Sequence, residues 1–218
     1  MYSFDYQRPA DRAAAAAAIQ GDARYLAGGQ TLIQAMKLRL SSAERLVDLG
    51  AIADLKGITV AGNTVTIGAM TPHAEVARSA AVRGAIPALA ELAGSIGDAM
   101  VRNQGTIGGS VANADPAADY PAGLLALGAT VNTDRRSIAA DDFFTGMFET
   151  ALQPGELIVS VAFPAAQKAA YAKFKQPASR FALVGVFVAQ TASGVRVAAT
   201  GCKGSVYRVA ELEAALSK

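Results

Sequence analysis

Histidine and cysteine occur once each in 218 residues, and tryptophan not at all. The lone Cys202 excludes an internal disulfide. It also excludes a self-contained Fe–S cluster, which needs about four ligands, mostly thiolates. His73 and Cys202 together leave no ligand set for zinc. They also give no support for a nucleophilic pair, because Cys202 lies in the turn segment TGCKG and is expected as a small buried or turn residue. His73 sits in the first turn of a predicted helix and is expected at the surface or behind a site. No G-x-S-x-G elbow occurs. Net charge is only +2 with no lysine or arginine cluster, so nucleic acid is not an expected partner. Aromatic residues are 6%, too few for a base-stacking surface. No apolar run reaches the length of a membrane span; Ala13–Ala18 is too short and too small. The opening MYSFDYQRPADR has neither a basic nor an apolar signal region, and with one cysteine a cytoplasmic location is expected. What is present is core: 52% of residues are hydrophobic and 17% charged.

The pattern predicts an α+β chain in three parts: residues 1–57, 58–165 and 166–218. In the first, PADRAAAAAAIQ reads as a helix with Asp11 near its start, RYLAGG as a strand, and ERLVDLG as another strand. Between the strands, TLIQAMKLRL is a helix with Leu32, Met36 and Leu40 on one face. In the second, Ile58, Val60, Val65 and Ile67 alternate around Ala61-Gly62-Asn63 as a hairpin. Thr71 and Pro72 suit the N-cap and first position of a following helix. AIPALAELAGSIG is a second helix, PAGLLALG a third, and ATVNT and ELIVSVAFP are strands. In the third part AYAKFKQ, FALVGVFVAQ and VRVAATG form a small three-stranded sheet, and RVAELEAALS a terminal helix.

Two glycine-rich turns stand out. In YLAGGQTL, Gly28 and Gly29 bring backbone N–H groups close to an anion, and the helix beginning near Thr31 points its positive end there. In GTIGGS, Gly105, Gly108 and Gly109 open the backbone while Thr106 and Ser110 add hydroxyls. Either turn alone is a tight strand-to-helix connection. Two in one chain point to a diphosphate held by neutral donors without lysine. Asp115 and Asp119 precede Pro116 and Pro121, which fits helix capping; Asp119 equally suits a ribose or ribityl hydroxyl. On AYAKFKQ, Tyr171, Lys173 and Lys175 share one face, either an ordinary half-exposed strand or a cleft wall.

The blocks AGGQTLIQAMKLRL, IGAMTPHAEV, VRNQGTIGGSVANADPAADYPA and KFKQPASRFALVGVFVA resemble, in order, the FAD-binding subunit of molybdenum hydroxylases. This is the family of the carbon monoxide dehydrogenase medium subunit and the flavin domain of xanthine dehydrogenase. The resemblance implies an FAD cleft between two α+β subdomains. It places Leu26, Ala27, Gly28, Gly29, Gln30, Thr31 and Leu32 around the diphosphate, Thr31 standing for the family's serine. Gly105, Thr106, Gly109 and Ser110 would form the second phosphate loop, and Asp119 would bond a flavin-side hydroxyl. Ile158 would pack on the cofactor, Lys175 would face the isoalloxazine, and Tyr171 would shield one flavin face. It further implies a C-terminal part shorter than the family's usual one. The expected function is electron transfer within a molybdenum hydroxylase complex, from Fe–S clusters through FAD to NAD or another acceptor. The clusters and molybdopterin would sit on an Fe–S subunit and a large subunit, in a heterotrimer or its dimer. A stand-alone FAD-dependent reductase and a non-redox nucleotide-binding or assembly module are the alternatives.

Overall fold

The structure, a computed structural model, describes residues 1–218. The first sheet is parallel. Its strands β1 (Asp5–Gln7), β2 (Ala23–Leu26) and β3 (Arg45–Asp48) lie in the order β1-β3-β2. Helices α1 (Arg12–Ala18) and α2 (Leu32–Lys37) make the two crossovers. Alanine, the best helix former, builds α1, and Asp11 Oδ1 caps it by accepting from the Ala14 N–H at 2.8 Å. Helix α2 is shorter than its apolar pattern predicts. It ends at Lys37, Arg39 takes φ +60°, and Leu40 is exposed while Met36 is buried.

The second sheet is antiparallel, in the order β4-β5-β10-β6-β7. The hairpin of β4 (Ile58–Ala61) and β5 (Thr64–Gly68) turns at Gly62, φ +55°. The other strands are β6 (Thr130–Thr133), β7 (Ser137–Ala139) and β10 (Ile158–Pro164). Between β5 and β6 run α3 (His73–Arg78), α4 (Ala80–Ala85), α5 (Pro87–Ser95), α6 (Ala99–Gln104), α7 (Ile107–Asn113) and α8 (Tyr120–Leu127). Short α9 (Ala140–Phe143) and the pair β8 (Phe144–Gly146) and β9 (Glu149–Thr150) precede β10. The one helix expected after Thr71 is two, broken at Ser79, whose Oγ caps the second by accepting from the Val82 N–H. Thr71 caps neither. Its hydroxyl accepts from the Gly57 N–H at 3.0 Å and donates to the Gly57 carbonyl at 3.2 Å.

The third sheet is antiparallel in sequence order: β11 (Lys168–Lys175), β12 (Ala182–Thr191), β13 (Gly194–Thr200) and β14 (Tyr207–Arg208). The two-residue β14 extends the three strands expected, and α10 (Ala210–Leu216) follows. Helices α5 and α8 pack between the second and third sheets, with Leu89, Leu92, Tyr120, Leu124, Phe163 and Phe187 fully buried in one cluster. Every residue of α8 is buried, so its sequence is apolar all round. A separate cluster of Val47, Leu49, Ile52, Leu55, Met70 and Leu157 joins the first sheet to the start of β10. No helix is long and apolar enough to cross a membrane.

Candidate functional site

A cavity of about 400 Å³ draws its walls from both clusters, a size typical of small-molecule sites. Its first wall is the turn from the carboxyl end of β2 into α2, where ligands bind in open parallel sheets. Leu26, Ala27, Gly28, Gly29, Gln30, Thr31 and Leu32 all line it. The N–H groups of Ala27 through Leu32, six in succession, have no acceptor within the chain. Gly29 at φ +69° bends the turn. A run of unpaired amides in a turn that lines a cavity suits an anion.

The second glycine block lines the adjoining wall through Gly105, Thr106, Gly109 and Ser110, but it works differently from expectation. Most of its amides are spent: Ile107 donates to Thr71 O at 3.2 Å, Gly108 to Ala69 O at 2.8 Å, Gly109 to Thr106 Oγ1 at 3.2 Å and Ser110 to Thr106 O at 3.1 Å. The glycines serve close packing. A Cβ on Gly108 would stand 2.6 Å from the Ala69 Cβ, and one on Gly105 2.7 Å from His73 Nε2. A Cβ on Gly28 would overlap the Gln104 carbonyl oxygen, so Gly28 is where the two blocks touch. What the second block offers the cavity is side chain: the hydroxyls of Thr106 and Ser110 and the amide of Asn113.

Asp119 also lines the cavity and is 5% exposed. It makes no side-chain cap to α8, which removes the capping alternative. Its Oδ2 accepts from Lys173 Nζ at 2.9 Å and its Oδ1 from the Tyr171 hydroxyl. Burial raises the Asp119 carboxyl, and the Lys173 charge and the two hydrogen bonds pull it back. Asp115 is spent locally, Oδ1 accepting from the Ala117 N–H at 2.8 Å in a turn.

Tyr171 therefore does not stand on the wall as a flavin shield. The alternation of β11 turns it and Lys173 inward, under α5 and α8, and its ring packs on Phe187 with centroids 6.0 Å apart. Lys175 follows a register shift at the end of β11, is exposed, and lies off the wall. Three aromatic rings do line the cavity, Tyr25, His73 and Phe181, and the last is one that sequence reasoning missed. The turn before β12 presents it: Arg180 takes φ +62° and its Nη1 donates to the Gly97 carbonyl at 3.2 Å. Its only sequence signal is an aromatic directly after the QPASR turn. Met70, Ile96, Leu157 and Ile158 supply further apolar wall.

His73 is also a wall residue, 5% exposed rather than at the surface. Its Nδ1 has no partner, and its ring lies 5.4 Å from that of Tyr120, whose hydroxyl is also unpartnered. Burial, then the Arg102 charge, holds its pKa down to about 4. As the sole histidine it gives one imidazole signal by NMR; its titration midpoint is expected near pH 4, and a midpoint near 6.5 contradicts the placement.

Glu156, at the cavity edge, has a fully buried side chain. It accepts from Arg136 Nε at 3.0 Å, Thr133 Oγ1 at 2.7 Å and the Gln153 N–H at 2.8 Å. The Arg136 bond, aided by the others, holds its pKa down to about 2 from 4.5. Such a carboxylate stabilises the fold above about pH 4.5 and gives that stabilisation up as pH falls through about 2. Thermal melts are expected to lose Tm in that window, and E156Q to flatten the loss. A wild-type-like slope in E156Q rules the linkage out.

Residues 2–166 match the family described as FAD binding domain in molybdopterin dehydrogenase. The chain belongs to this family, the FAD-binding medium subunits of molybdenum hydroxylases. It is 41% identical over 202 residues to the carbon monoxide dehydrogenase medium chain of Afipia carboxidovorans, covering 88% of this chain and 70% of that one. The structure superposes on reconstituted CO dehydrogenase from Oligotropha carboxidovorans with a TM-score of 0.92 at 35% identity, covering 99% of this chain and 81% of that one. Quinoline 2-oxidoreductase from Pseudomonas putida 86 gives 0.89 at 29% identity, covering 95% and 77%. The cavity suits this family's cofactor on its own chemistry: free amides for a diphosphate, a buried carboxylate for hydroxyls, and an apolar end bearing Ile158 and Phe181 for rings.

Proposed function

We propose that this chain holds FAD in the cavity and serves as the electron-transfer subunit of a molybdenum hydroxylase complex. It would stand between Fe–S clusters on a partner chain and NAD or another acceptor. The observation that carries the reading is the run of six unpaired amides from Ala27 to Leu32, a lysine-free diphosphate cradle. In this reading those amides hold the diphosphate, with the Thr106 and Ser110 hydroxyls closing on it and Gly109 leaving room for Ala27 beside them. Asp119 accepts from a ribityl-type hydroxyl. Ile158 and Phe181 pack on the rings and keep water out, whereas Lys175, off the wall, has no part in the reading. Tyr171 acts through Asp119. Bound FAD supplies the redox chemistry, and the protein binds and orients it.

The single cysteine puts any Fe–S cluster on another chain. Relatives described as medium chains support a larger and a smaller partner chain, in this reading the molybdopterin-binding subunit and the Fe–S subunit. Co-expression of the three chains followed by size exclusion tests this. A stable complex carrying flavin, iron and molybdenum is expected. A flavin-loaded chain that joins neither subunit and is reduced by NADH alone supports the stand-alone reductase instead.

A further inference from the structure

We propose that Lys173 is a positioning residue that keeps Asp119 an anion aimed into the cavity, with Tyr171 fixing its other oxygen, so that this part of the site takes a hydroxyl donor. The inference rests on the FAD reading for the identity of the ligand, but not for the state of the carboxylate.

Three observations carry it. Asp119 is not spent on the backbone of α8. Each of its oxygens receives one bond from β11, Oδ2 from Lys173 and Oδ1 from Tyr171. A carboxylate oxygen accepts about two bonds, so each keeps a lone pair for the cavity that Asp119 lines. Lys173 is itself held in place: its side chain is 6% exposed, and Nζ also donates to the Ser95 carbonyl of α5 at 3.3 Å. The other titratable group beside Asp119 is Tyr120 on its own helix, whose hydroxyl has no partner and whose pKa burial raises, so it stays neutral. His73 of α3, neutral above about pH 4, packs against Tyr120. Lys173 is thus the only cation bonded to this carboxylate. Its loss leaves a buried acid that takes up a proton, and a protonated acid is no longer an acceptor-only group.

Infrared difference spectra across a pH series read the carboxyl state without any flavin. In K173M, the carbonyl band of a protonated carboxylic acid is expected to appear with a midpoint roughly 1–3 pH units above the wild type. The band should vanish in K173M/D119N and return to the wild-type midpoint in K173R. The pH at which FAD affinity falls should move upward by the same amount. An unmoved band, or an affinity loss equal at every pH, makes Lys173 merely structural and overturns the proposal. If K173M does not fold, Y171F decides by the same band: an upward shift supports the arrangement, and none contradicts it. If the wild type takes up no FAD while the band still shifts, the FAD reading fails and the positioning role stands.

Discussion

Gly28→Ala is expected to weaken FAD binding by roughly 100-fold, about 2.8 kcal/mol. The alanine methyl would overlap the Gln104 carbonyl oxygen and lie 2.8 Å from the Gly105 Cα, so the blocks must separate. Backbone, unlike the far end of a flexible side chain, cannot swing aside. Separation widens the cavity beside the unpaired Ala27–Leu32 amides and shifts them relative to the second block. Gly84→Ala is the control. Its Cβ would meet nothing within 4 Å and it lies inside α4, so affinity should hold and stability rise slightly. Fluorescence titration of both variants with FAD, alongside melts, measures the contrast. Equal affinities in G28A and wild type would mean that the touching blocks do not shape the site.

Asp119→Ala should be the most destabilising single change at the site. It leaves the Lys173 ammonium, 6% exposed, without its counter-charge, and the Tyr171 hydroxyl without its acceptor. Breaking one side of a buried ion pair costs about 3–5 kcal/mol, which in a chain of this size lowers Tm by on the order of 10 °C. The double variant D119A/K173M removes the stranded charge and should recover much of the stability. FAD affinity should not recover with it, because the hydroxyl acceptor is gone. Asp115→Ala, which removes only a local turn bond, should cost less on both counts. Additive losses in the double variant, or equal effects of the two aspartates, would show that the pair is not coupled as the geometry requires.

Much of this was legible in the residues, for identifiable reasons. The β4–β5 hairpin, the two-faced alternation of β11 and the turn after β2 follow from periods and glycine positions that local sterics enforce. The three-residue β1 has no period to read, because each of its residues is exposed. Helices α6 and α7 hid inside the glycine block. Each has a good cap, Asp98 and Thr106, but glycines at Gly108 and Gly109 argue locally against helix, and only packing on Ala69 and Ala27 explains them. Alternation showed that Tyr171 and Lys173 share a face. It could not show that this face meets α5 and α8 rather than the cavity, because that is decided by how the third sheet docks. For the same reason Phe181, set by a turn with a left-handed Arg180, went unseen while Tyr171 was favoured.

The amide cradle is the centre of the account, and equilibrium titration of FAD onto the flavin-free chain tests it most directly. The account predicts uptake of one FAD per chain, kept in Gly84→Ala and lost or greatly weakened in Gly28→Ala. A folded chain that stays colourless and takes up no FAD would contradict it.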